Sequence, residues 1–174
     1  MRRWFERRFS FEHLSEADFP FLVERLRGVP ARVEDKLRDL PREGLTRRDG
    51  EAWSIQEHVG HLVDLDALHA ARLDDYRASA SVLRAADLQN RQTHEAGYND
   101  RPLAEVVLAF RRVRGRFVER LDAWDPQGLD ASAIHPRLQQ PMRLVDMLYF
   151  VAEHDDHHLA WMTELGRLRG QVLK

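Results

Sequence analysis

Four stretches of this chain repeat their apolar residues at helical spacing and none repeats them at strand spacing over a useful length. That pattern constrains the fold more than any other feature. The first stretch spans about 17–40, with Ser15 and Asp18 placed as a capping pair and Pro30 placed to kink it. The second opens at Ser54, where Ser54 and Glu57 form a capping box, and carries Ile55, Val59, Leu62, Leu65, Leu68, Leu73 and Tyr76 as one stripe. The third opens near Pro102 and runs to Trp124; the fourth begins near Pro141 and continues to about Leu168, with Gly166 or Gly170 as exit signals. Four amphipathic helices imply an all-α four-helix bundle, a fold that places ligands in its core from facing helices. The polar connection 83–99 between helices two and three is too long for a tight bundle turn and is expected to cross an end of the domain.

With 174 residues, 43% hydrophobic and 32% charged, the chain is expected to form one domain over 1–174, with its core at about 17–168 and residues 1–14 as an N-terminal extension. The absence of cysteine excludes disulfides, thiolate zinc sites, iron–sulfur clusters and cysteine nucleophiles, so any metal must sit on His, Asp or Glu. A net charge of −2 gives no global field for nucleic acid or anionic lipid, and neither partner is expected. Arg2, Arg3, Arg7 and Arg8, and again Arg111, Arg112, Arg114 and Arg116, form local clusters; the second, spread around a helix, reads as a solvated face. The longest apolar run, 147–152, is far short of a membrane span, and no signal-like stretch follows the first arginines, so a cytoplasmic protein is expected. The aromatic and leucine content points to a homodimer.

The sharpest local feature is the run His154, Asp155, Asp156, His157, His158 between apolar neighbours. Imidazole beside a hydrophobic seam is costly unless something binds it. At about 100° per residue, His158 falls about 40° from His154 toward the stripe of Leu144, Met147, Val151, Met162 and Leu165, while His157 sits on the flank. His154 and His158 therefore face inward, within reach of one ion. On the second helix periodicity does not select His61; His58 and His69 lie nearer its apolar stripe, and spacing alone favours His58.

A resemblance separates them. Trp53 to Leu62, with His61 eight residues after Trp53, resembles the second-helix motif of the DinB/YfiT-like family of four-helix metal-binding proteins; His154 to His158 is similar to its fourth-helix motif, in which the first and last histidine are ligands. Gly28 to Arg32 is similar to the family's first-helix kink, Arg48 to Gly50 to the approach to its second helix, and His135 and Pro136 to the loop before its fourth. In this order the motifs cover about 19–168. The resemblance implies a metal held by His61, His154 and His158. His58 and His157 fall off the ligand positions, and Asp66 falls where relatives vary. His135 reads as a loop-packing residue, His13, His69 and His94 carry no motif, Asp155 is expected to face solvent and Asp156 a neighbouring helix.

Three neutral imidazoles hold a divalent ion and leave a position open, the pattern of a catalytic rather than a structural site. Zinc, nickel, iron and manganese all suit imidazole. Such an ion activates water or a thiol, and the family resemblance implies metal-dependent transferases using low-molecular-weight thiols as readily as hydrolases. The expectation is therefore a metal-dependent enzyme, a thiol S-transferase or hydrolase, acting on a small-molecule substrate. The alternative is a non-catalytic metal-binding or stress-response protein whose ion ties the second helix to the fourth; a DNA-associated role has no charge footprint behind it. Glu57, Asp64 and Glu153 lie near the ligands in sequence, with nothing to select one as a general base.

Overall fold

The computed structural model describes residues 2–168. Four helical rods make a bundle. The first is split into α1, Phe19–Arg27, and α2, Val29–Leu37; the short α3, Arg42–Thr46, leads to α4, Ile55–Arg77. α5, Arg91–Glu95, sits in the long connection before α6, Leu103–Asp122, and α7, Leu144–Leu168, is the last described element. The first rod breaks at Gly28, which puts Pro30 in the opening turn of α2, where its missing N–H costs least. Gly166 lies inside α7 and ends nothing, while Gly170 lies outside the described residues.

Two strands that periodicity does not reveal lie between α6 and α7. β1, Ser132–His135, pairs antiparallel with β2, Gln140–Arg143, in the register Ser132 to Arg143 and His135 to Gln140. Four-residue strands are too short to show a period of two, and this hairpin gains a further partner: Leu83 N–H donates to the Ile134 carbonyl, and Ile134 N–H to that of Ser81. Pro141 belongs to β2 rather than to the start of a helix. α7 begins three residues later, where the Asp146 carboxylate accepts the Arg143 N–H at 2.8 Å.

The core is divided. One apolar cluster gathers Leu22, Val23, Leu26, Leu73, Tyr76, Phe117, Leu121 and α7 residues from Leu144 to Ala152; the other gathers Val29, Val33, Ile55, Val59, Leu62, Phe110, Leu159, Met162 and Leu165. Every long rod contributes to both. Between them lies a polar layer: Arg114 of α6, 1% exposed, donates to both oxygens of Asp66 on α4 and both of Asp155 on α7, at 2.6 to 3.1 Å. Its Nη1 also donates to the Leu26 carbonyl at 3.2 Å, the acceptor that Pro30 has no N–H to serve. One guanidinium thus ties all four rods together.

Arg114 and Asp155 are both corrections to the sequence expectation of solvated side chains. Burial raises the Asp66 carboxyl to about 6 and raises that of Asp155, against the pull of the arginine, because one cation cannot offset two buried carboxylates. Burial also disfavours the charged guanidinium, but the two carboxylates outweigh it and Arg114 stays protonated. Asp156 does reach a neighbouring rod, accepting from Arg25 and Arg32. No helix among the described residues is long and apolar enough to cross a membrane.

The segment before α1 lies along α7. Trp4 packs edge-on against Phe150, Arg7 pairs with Glu153, and Phe11 is buried in the first cluster.

Candidate metal centre

The start of α4 sets the phase of its histidines. Ser54 Oγ accepts the Glu57 N–H at 3.1 Å and the Glu57 carboxylate accepts the Ser54 N–H at 2.9 Å, closing the capping box. Arg48 Nε donates to the same carboxylate at 2.8 Å, so Glu57 is committed to structure. From this fixed end α4 carries His61 into the bundle, opposite His154 and His158 of α7.

The structure brings these three together. All are buried, and one ring nitrogen of each lies within 4.8 Å of one from each of the others. His154 Nε2 and His158 Nε2 are 3.0 Å apart. Two nitrogens at ~2.0 to 2.1 Å from one ion, with angles of about 90 to 109° between them, stand about 2.9 to 3.4 Å apart. The pair already has that separation.

Hydrogen bonding sets which nitrogens carry lone pairs. Thr93 Oγ1 of α5 donates to Asp64 Oδ2 at 2.8 Å, so its oxygen is left to accept from His61 Nδ1 at 3.1 Å. That assigns the His61 proton to Nδ1 and the lone pair to Nε2. Tyr98 donates to the other Asp64 oxygen at 2.7 Å and completes the chain. His58 plays the matching part for His158: their Nδ1 atoms are 2.8 Å apart, and a proton on His158 Nδ1 frees its Nε2. Burial pushes the His61 ring down to about 3, with His58 and His94 adding to the shift, and pushes His154 and His158 well below the ordinary histidine value. All three are neutral near pH 7, the state that ligates metal.

Around the triad opens a cavity of about 660 Å³. Trp53 lies 4.6 Å from the His61 ring and Trp4 stands edge-on to His154 at 4.9 Å. The exposed Phe5 and Leu88 line it, so part of its rim is apolar. None of Glu57, Asp64 and Glu153 lines this space: the first is a cap, the second fixes Thr93 and Tyr98, and the third pairs with Arg7 and Arg25. Asp66 is held by Arg114 instead of reaching the triad. His58, His69, His94, His135 and His157 all line the cavity; spacing turns His58 and His69 toward the core, and the motifs give none of the five a ligand position. Thr93 and Tyr98 carry no sequence signal, since the connection that holds them has no period.

A four-helix bundle with three inward imidazoles and an open cavity defines a class of helical protein able to hold a divalent ion. The profile of the DinB superfamily matches residues 25–162, and the chain belongs to that superfamily. It is 24% identical over 151 residues, 82% of both chains, to a protein of Bacillus pumilus (strain SAFR-032) named "Putative metal-dependent hydrolase". YfiT from Bacillus subtilis, described as a probable metal-dependent hydrolase with an unusual four-helix bundle topology, superposes with a TM-score of 0.82 over 95% of both chains at 21% identity. That likeness shows the fold.

Proposed function

We propose that His61, His154 and His158 hold a divalent ion and that the protein is a metal-dependent hydrolase acting on a small molecule admitted by the cavity. The observation that carries this reading is the convergence of three buried neutral imidazoles from two helices beside a space large enough for a substrate. A divalent ion bound there supplies Lewis acidity toward a carbonyl or phosphoryl oxygen and eases deprotonation of a nucleophile near pH 7. Zinc, nickel, iron and manganese are all compatible with a three-nitrogen donor set.

The chain's own residues do the rest. The Asp64 and Thr93 chain holds His61 in one tautomer and one orientation, and the contact with His58 Nδ1 orients the ring of His158. Trp4, Trp53 and Phe150 give the cavity apolar walls, which limit water and strengthen electrostatic contacts within it. The same arrangement supports a low-molecular-weight thiol as the activated nucleophile in place of water, which would make the reaction an S-transfer. The test removes metal with chelator, restores each of the four ions, and measures hydrolysis of an ester and amide panel with and without added thiol. The reading predicts activity that returns with metal, stays lost in His154→Ala, and needs no thiol. Activity that appears only with thiol selects S-transfer. A fold that melts many degrees lower without metal, with no activity in either assay, selects a structural ion and ends the enzymatic reading.

A further inference from the structure

Four buried polar side-chain atoms lack a hydrogen-bond partner among the described residues: His69 Nδ1, His135 Nε2, Arg137 Nη2 and His154 Nδ1. All four residues line the one cavity. Such atoms are rare because each left unpaired forfeits its hydration with nothing in return, so their gathering around a single space marks it as built for a polar occupant.

Two of these unpaired atoms, on the hairpin side of the cavity, are donors. His135, 3% exposed, accepts the Leu138 N–H at its Nδ1 at 3.2 Å; its ring proton therefore sits on Nε2, with nothing to receive it. Arg137 follows two residues later in the turn between β1 and β2. Its guanidinium rests against the faces of Trp4, Phe5 and Phe150 at 5.3 to 5.9 Å, and no carboxylate among the described residues pairs with it. Arg72 of α4, 2% exposed, donates Nε and Nη2 to one carbonyl, that of Arg84, and makes no direct ion pair among the described residues; Asp75, paired with Arg84, acts on it only through space. Burial lowers Arg72 to about 10, and Arg137 adds to the repulsion that lowers it. Water would satisfy hydrogen bonds here and leave one buried and one half-buried cation without a counter-ion in contact; an anion supplies both.

We propose that the cavity end formed by Arg72, His135 and Arg137 binds an oxyanion, a carboxylate or phosphate, carried by a small molecule whose apolar part lies along Trp4 and Phe150 toward the histidine triad. A single indole spans the two ends: the Arg137 guanidinium carbon is 5.9 Å and the His154 ring 4.9 Å from the Trp4 ring. The bound molecule is accordingly compact, with its anionic group and its reacting bond both within reach of the Trp4 ring. This substrate class rests on the metal-site reading for the part played by the molecule's other end, and on the arginine end alone for binding.

Metal-free protein titrated by calorimetry with phenyl phosphate, phenylacetate and the neutral benzyl alcohol tests it. At least one oxyanion should bind tenfold or more tightly than benzyl alcohol, Arg137→Met should lose at least tenfold, and the His135 Nε2–H resonance of the wild-type protein should shift on titration. Which oxyanion wins identifies the source. Oxyanions that bind no better than benzyl alcohol, or that bind while His135 stays unshifted, overturn the proposal, as does unchanged affinity in a folded Arg137→Met. The His135 shift decides the matter should that variant fail to fold. Because no metal is present, a failure here is separate from any failure of the three histidines to bind an ion, which a zinc titration reads by itself.

Discussion

At the residue scale the centre depends on which nitrogen of each imidazole holds its proton. His61 and His58 lie one turn apart on α4, and both rings are buried. Periodicity favours His58, and His58 does face α7, but its Nδ1 is engaged by His158, while His61 joins the cluster of three. A wheel gives direction and no account of who already occupies each nitrogen; the motif order points instead to His61, whose ring nitrogen lies within 4.8 Å of those of His154 and His158. Thr93 is the residue to change. Thr93→Val removes the acceptor for His61 Nδ1–H and should weaken zinc affinity about 10- to 100-fold, with Thr93→Ser restoring it. Competition against a chromophoric chelator measures this, and an unchanged affinity would show that the threonine sets nothing.

At the element scale the long helices are legible because 20 or more residues of period 3.6 leave an unmistakable stripe, whereas the four-residue strands of the hairpin and the five-residue α5 leave none. Arg114 was within reach: Phe110, Phe117 and Leu121 place it in the buried seam of α6, and its charge argued it outward against its own spacing. Arg114→Met leaves Asp66 and Asp155 buried without their cation and should lower stability by about 3 to 5 kcal/mol, read by denaturant melts. Replacing all three by apolar residues should recover much of the loss. Gly60 marks the contact between α4 and the long connection. A Cβ there would overlap the Tyr98 ring, so Gly60→Ala should displace Tyr98 from Asp64 and weaken metal binding together with stability. Normal zinc affinity in that variant would show that the Tyr98 and Asp64 link is dispensable.

At the scale of the whole molecule, buried histidines govern the response to acid. His61 and His135 are each held near 3, chiefly by burial, and His69, His154 and His158 are also pushed down. The unfolded chain takes up these protons near pH 6.5 and the folded chain does not, so stability falls as pH drops below about 6.5. Each such histidine contributes up to about 1.4 kcal/mol per pH unit. Asp66, raised to about 6, and Asp155, also raised, take up protons in the fold and work the other way, but they are two groups against five. The melting temperature of metal-free protein should therefore decline from pH 7.5 to pH 5.5, and a flat profile would mean that the rings are hydrated or already protonated in the fold.

That same burial keeps three imidazoles neutral and convergent across two helices, which is the claim on which the function rests. Anomalous diffraction at the zinc edge, from crystals grown with zinc, tests it most directly. The account predicts a peak bonded at ~2.0 to 2.1 Å to one nitrogen each of His61, His154 and His158. No peak at that position, or one that excludes any of the three, would contradict it.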